Sequence, residues 1–137
     1  MASNEQMDAL FKEARKAADA AYAPYSKFRV GAALLCEDGS VVTGCNVENR
    51  SYGLTVCAER NAVFAAVARG KRRFTALAIS TPDSVDSVGP CGACRQVLSE
   101  FMAADAPVRF AGSGPNQVNT TIGELLPLDS LHDLSKT

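Results

Sequence analysis

The sequence predicts an α/β domain: a three-layer α-β-α sandwich around a mixed central sheet of about five strands. Three observations predict it. Helical and strand-like hydrophobic periods alternate along the chain in the order α-β-β-α-β-α-β, with room for a final β-α pair. The first two strands are joined through Asp38-Gly39, a hairpin signal, so the sheet opens antiparallel before any crossover. The chain has 137 residues, the size of one domain, and its 47% hydrophobic and 21% charged residues match the globular average.

Each element has local grounds. Met7, Leu10, Phe11, Ala14, Ala17, Ala18 and Ala21 recur at three- and four-residue steps, the signature of one buried helical face. Ser3 and Gln6 have the spacing of a capping box, and Pro24 ends the helix. Residues 29–36 and 41–47 read as the two hairpin strands. Residues 57–69 read as a second helix whose centre, residues 62–68, is apolar on nearly every side and so calls for burial all round. A domain this small does not easily cover such a helix alone, which points to a second subunit. Gly70 ends it, and Lys71-Arg72-Arg73 reads as a charged helix end and turn rather than a phosphate patch. Residues 75–80 form a third strand and 82–89 a polar loop. Pro90 leads into a third helix, 91–102, with Cys94, Val97, Leu98 and Phe101 on its inner face. Residues 107–111 are a fourth strand, and a turn-rich stretch, 112–119, precedes a short fifth. Thr121 and Glu124 then cap a short last helix, stopped by Pro127.

Composition excludes several function classes. Fourteen basic residues against fifteen acidic ones give a net charge of −1, which argues against nucleic acid held by a basic surface. The longest apolar run, residues 62–68, is too short to span a membrane. The first six residues are neither basic nor apolar, so no signal peptide is expected and a cytoplasmic protein is. The five cysteines are an odd number, and a chain with its own core does not need staples. In a reducing compartment such a set points to metal binding or catalysis.

Cys91-Gly92-Ala93-Cys94 is a C-x-x-C pair, which alone fits a zinc site or a redox pair with Cys91 as attacking thiolate. Cys57-Ala58-Glu59 adds a third sulfur upstream. Cys57 and Cys91 each fall where a helix begins, so two helix N-termini would point at one spot and stabilise thiolates there. Three protein ligands and one open position are the pattern of catalytic zinc; a structural site needs a fourth ligand. Cys36, Cys45 and, remotely, His132 are the candidates. Both cysteines lie on strands among apolar neighbours and read as small hydrophobes, and His132 reads as a solvated or capping residue. Glu59 is an ordinary first-turn glutamate unless Cys57 sits at the very first helical position. Its side chain then aims at the open side of the metal, where a carboxylate shuttles protons. Three thiolates around Zn²⁺ leave an excess negative charge. Arg60 and Arg95 follow ligands closely and either offset it through hydrogen bonds to sulfur or stand as exposed helix arginines.

These residues are similar to the zinc-deaminase signature, which puts His before the x-Glu and also allows three cysteines as the ligand set. The surrounding text narrows the likeness. Phe28-Arg29-Val30-Gly31-Ala32-Ala33, Asn46-Val47-Glu48-Asn49, Cys57-Ala58-Glu59-Arg60-Asn61-Ala62 and Pro90-Cys91-Gly92-Ala93-Cys94-Arg95-Gln96 resemble the small homotetrameric cytidine deaminases, from about Tyr22 to Pro127. The resemblance implies one Zn²⁺ per subunit on Cys57, Cys91 and Cys94, with Glu59 as general acid and base. It implies that Asn46 and Glu48 bond the ribose hydroxyls, that Phe28 packs on the pyrimidine with Ala58 beside it, and that Tyr52 reaches a substrate in an adjacent subunit. It implies hydrolytic deamination of cytidine and 2′-deoxycytidine to the uridine products with release of ammonia, through a zinc-bound hydroxide, in pyrimidine salvage. The family usually carries an aromatic lid residue after Leu-Leu-Pro. Here Leu125-Leu126-Pro127 is followed by Leu128, Asp129, Ser130 and Leu131, and Leu128 or Leu131 supplies apolar cover instead. The rival readings are a deaminase of another cytosine nucleoside such as blasticidin S, a nucleotide or nucleic-acid deaminase, a structural zinc module, and a Cys91–Cys94 redox pair.

Overall fold

A computed structural model describes residues 1–131. His132 lies outside the described residues. The first helix, α1 (Asn4–Ala18), begins at the expected capping box: Gln6 N donates to Ser3 Oγ at 3.1 Å and Ser3 N to Gln6 Oε1 at 2.8 Å. It stops three residues before Ala21. Beyond it Tyr22 N donates to the Asn46 carbonyl at 3.0 Å and Glu48 N to the Tyr22 carbonyl at 2.8 Å, which draws the chain into a bridge instead of another turn.

Five strands follow: β1 (Gly31–Cys36), β2 (Val41–Cys45), β3 (Phe74–Thr81), β4 (Pro107–Gly112) and β5 (Gln117–Thr121). Their spatial order is β2-β1-β3-β4-β5, and β3–β4 is the parallel pair. A parallel pair needs a crossover, and α3 (Gly92–Phe101) supplies it. A second helix, α2 (Ala58–Ala68), joins β2 to β3, and α4 (Ile122–Leu125) follows β5. The sheet is mixed with helices on both faces, as the sequence predicts. Both hairpin strands end short of their predicted limits: before Gly31 the amides of residues 28–30 donate to side chains, and after Cys45 the main chain turns to a new partner, Val47 N donating to the Val56 carbonyl at 3.0 Å.

Alternation along the central strands divides the core. Ala33, Ala76 and Ala78 meet Met7, Leu10 and Ala14 of α1. Leu34, Leu77 and Ile79 face the other way, against Ala62, Val63 and Ala66 of α2 and Leu98 of α3. The α1 side is lined by alanine, so α1 sits close: a β-carbon on Gly31 would lie 1.9 Å from the Ala14 carbonyl oxygen. On the opposite side a β-carbon on Gly44 would lie 2.4 Å from Ala62 N and 2.6 Å from the Ala58 carbonyl oxygen. Backbone therefore packs on backbone where β2 crosses α2. Arg109 of β4 is buried on the α1 side, paired with Asp8 and bonded to Asn119 Oδ1 at 2.8 Å.

Helix α2 is covered on one side only. Ala58, Ala62, Val63 and Ala66 are buried, whereas Phe64 is 52% exposed. The basic run after it is a helix end, as expected: Arg72 Nη1 donates to the Val67 carbonyl at 2.8 Å, and Lys71 pairs with Asp38 at 2.5 Å. Gly44→Ala is expected to destabilise the fold by about 3 kcal/mol, the upper end for overpacking, because both clashing atoms are backbone. The urea denaturation midpoint measures it, and a wild-type midpoint would show that this contact does not pin α2.

Candidate metal centre and pocket

Cys57 is the residue before α2 and Cys91 the residue before α3, both extended, and neither side chain caps its own helix. Each sulfur is therefore free to turn toward the other helix. The two Sγ atoms lie 3.9 Å apart. Cys94, in the first turn of α3, is fully buried beneath them, and the three sulfurs all lie within 4.8 Å of one another. Sulfurs bound tetrahedrally to one zinc at about 2.3 Å stand roughly 3.8 Å apart. The donor set and its spacing fit a zinc ion. Cys36 is buried strand core and Cys45 half-buried on β2; among the described residues, the metal-competent cluster contains neither. No disulfide joins the five cysteines.

Cys57 and Cys94 are pushed in opposite directions by their surroundings. A hydrogen bond with Cys94, aided by Arg60 and Cys91, brings the Cys57 thiol down to about 5. Cys94 moves far the other way, because it shares that bond and is buried. One thiolate forms readily; three need a metal among them. Arg60 Nη2 donates to Cys57 Sγ at 3.3 Å, as expected of a residue that offsets thiolate charge. Arg95 does not do this. Its Nε donates to the Pro90 carbonyl at 2.8 Å and its Nη1 to the Leu125 carbonyl at 3.0 Å, so its donors hold the turn before Cys91 rather than a sulfur. The expectation of an Arg95–sulfur bond is thereby corrected: the backbone carbonyls before α3 and at the end of α4 lie within its reach and have no helical partner.

Glu59 is only 4% exposed, and burial pushes its carboxyl up to about 7. It lines, with Cys57 and Cys91, a pocket of about 420 Å³ that also contains Phe28, Asn46 and Glu48. The rest of the lining is Ser26, Val30, Thr55, Ile79, Thr81, Val88 and Gly89. Among the described residues, no lysine, arginine or histidine lines it. Asn46 donates from Nδ2 to the Phe28 carbonyl and accepts from Val30 N, both at 2.8 Å. Glu48 Oε1 accepts from Tyr25 N at 3.0 Å and Ser26 N at 3.1 Å, and Oε2 from the Ser26 hydroxyl. That hydroxyl, first among several donors, holds the Glu48 carboxyl below its ordinary value. Both residues thus shape the segment carrying Phe28, with capacity left at each for a ligand.

Ala58 is buried at the helix start beside the pocket. Tyr52 is 72% exposed on a 3₁₀ turn (Tyr52–Leu54), its ring edge against Tyr25 with centroids 5.7 Å apart. It lines a neighbouring pocket of about 240 Å³ that shares Ser26, Glu48 and Thr55 with the first. Leu128 is 99% exposed and lines a separate pocket with Ile122 and Leu126. The sequence reading missed Ser26, Thr55, Thr81 and Val88. It also missed Asn61, whose Nδ2 donates to the Cys45 carbonyl at 2.8 Å and ties α2 to the end of β2. A slightly larger depression, about 470 Å³ between the β1–β2 turn and the end of α2, holds the already paired Asp38 and Lys71. Size does not choose the site; the converging sulfurs and carboxylate do.

Three sulfurs and a buried carboxylate at two converging helix starts define a site for one thiophilic divalent metal with a proton-transfer group beside it. The family model for the cytidine and deoxycytidylate deaminase zinc-binding region matches residues 4–109. A cytidine deaminase of Sporosarcina psychrophila is 50% identical over 121 residues, 88% of this chain and 88% of that protein. One from Halalkalibacterium halodurans is 51% identical over 118 residues, 86% and 89% of the two chains. The crystal structure of a cytidine deaminase from Burkholderia pseudomallei superposes with a TM-score of 0.84 at 46% identity, covering 88% of this chain and 96% of that one. The chain belongs to the cytidine and deoxycytidylate deaminase family of zinc-binding enzymes. Purified protein is expected to carry one zinc per chain by elemental analysis. Cys57→Ala, Cys91→Ala and Cys94→Ala should each lose most of it, whereas Cys36→Ser and Cys45→Ser should retain it; zinc lost with Cys36 or Cys45 would mark a four-ligand structural site.

Proposed function

We propose that this chain hydrolytically deaminates cytidine and 2′-deoxycytidine to uridine and 2′-deoxyuridine, releasing ammonia. The observation that carries the reading is Glu59, buried beside the three-sulfur cluster on the wall of a pocket that has no cationic side chain among the described residues. Zinc held by Cys57, Cys91 and Cys94 supplies Lewis acidity, which makes water a nucleophile near neutral pH. Glu59 takes a proton from the attacking water and delivers it to ring N3 as the water oxygen adds to C4. It then carries the remaining hydroxyl proton to the exocyclic nitrogen, which leaves as ammonia while the C4 carbonyl forms. Arg60, on Cys57 Sγ, withdraws part of the thiolate charge and keeps the metal acidic.

Phe28 packs against the pyrimidine, the start of α2 at Ala58 borders it, and Asn46 and Glu48 bond the ribose hydroxyls. An amide and a carboxylate suit a sugar diol and disfavour an analogue lacking it. The same lining argues for a nucleoside over a nucleotide. Among the described residues a phosphate would meet Glu48 and Glu59 and no cation.

We also propose a homotetramer in which a second copy covers the exposed face of α2 at Phe64 and Tyr52 reaches the neighbour's site. The exposed Phe64, Tyr52 and Leu54 support this. A place in pyrimidine salvage follows from the reaction, and the five unpaired thiols suit the cytoplasm.

Loss of cytidine absorbance with zinc-loaded protein tests the reaction. Glu59→Gln should keep its zinc and lose at least about 100-fold in turnover, the ordinary worth of a general acid–base group. Wild-type turnover in that variant, or equal turnover of cytidine monophosphate, would overturn the reading. Phe64→Glu should shift the assembly toward smaller species in sedimentation, and an unchanged mass would remove Phe64 from any interface.

A further inference from the structure

We propose that Asp83 is a positioning residue that, with Arg29, pins residues 28–30 as one wall of the substrate pocket. The ladder of β1 starts at Gly31, opposite Cys45 on one side and Ser80 on the other. Upstream of it three successive amides donate to side chains. Phe28 N donates to Ser26 Oγ at 3.0 Å, Arg29 N to Asp83 Oδ2 at 2.9 Å, and Val30 N to Asn46 Oδ1 at 2.8 Å. Asn46 thus holds the segment from the β2 side and Asp83 from the β3 side.

The Asp83 carboxylate also receives Arg29 Nε at 3.0 Å and Nη2 at 2.8 Å, a bidentate pair. Arg29 Nη1 lies 3.6 Å from Asp19, which in turn pairs with Arg15 at 2.9 Å, so the pin reaches the end of α1. Phe28 and Val30 face the pocket while Arg29, between them, faces out. Asp83 belongs to the loop after β3, whose neighbours Thr81 and Val88 also line the pocket. The pair therefore ties two adjoining parts of the lining together and is not itself among the lining residues.

Because it acts on the wall that contacts the base, its loss should appear in substrate binding more than in chemistry. This expectation rests on the deaminase reading. Asp83→Ala should raise the KM for cytidine about tenfold with kcat changed less than about threefold. Arg29→Ala leaves the Asp83 bond to the Arg29 amide in place, so KM should rise only about threefold. The double variant should match Asp83→Ala, since the two act through one link.

A second measurement does not depend on turnover. Amide exchange at residues 29 and 30 should quicken in zinc-loaded Asp83→Ala, while exchange across residues 31–36 stays as in wild type. Additive effects of the two substitutions, equal losses in kcat and kcat/KM, or unchanged exchange at residues 29 and 30 would each overturn the proposal. If wild-type protein does not convert cytidine, the deaminase reading falls, and the exchange measurement alone decides whether Asp83 pins the segment.

Discussion

The approach of α2 to β2 at Gly44 is the contact on which the site depends. With no side chain between them, the two backbones fix the height of the helix above the sheet. The bond from Asn61 to the Cys45 carbonyl then stops the helix from sliding along its axis. Helix α3 is placed independently, by the crossover that a parallel β3–β4 pair demands. Only when both are set do Cys57 and Cys91 face each other at 3.9 Å. Metal–ligand distances tolerate deviations of about 0.2 Å, so the centre inherits its accuracy from rigid backbone contacts rather than from the cysteines.

The polar groups around the sulfurs work against one another until a cation joins them. Cys57 ionises easily, Cys94 resists, and Glu59 is buried beside both. A divalent ion removes this conflict, since it stabilises all three thiolates at once and leaves the carboxylate free to exchange protons. The lining continues the same theme. A lining that mixes carboxylates, thiols and apolar side chains suits a flat uncharged base carrying a hydroxylated sugar.

Most of the fold was legible because its elements carry local signals: the Ser3–Gln6 box, the Asp38-Gly39 turn, the glycine after α2 and the Thr121 cap. The metal centre was legible because cysteine chemistry narrows the roles of Cys57, Cys91 and Cys94 even before their distance is known. Element ends were harder. The chain leaves α1 at Ala18 and the β1–β2 ladder stops short because Tyr22, Asn46 and Asp83 offer tertiary partners that no window of sequence displays. The Arg95 donors followed the same logic, since their carbonyl partners lie on a turn and a helix end brought together only by folding. The apolar composition of α2 states a demand for cover but not what supplies it, and within the single chain Phe64 is left exposed.

The amides of residues 28–30 are joined to the domain through side chains, whereas residues 31–36 are joined through the main-chain ladder. The two attachments differ in what substitution can change. A ladder bond survives almost any replacement, because every residue but proline brings the same donor and acceptor. A side-chain pin is rewritten by a single codon. Substitution at Asp83 or Arg29 can therefore reshape this wall without rewriting the ladder bonds of the strands beside it.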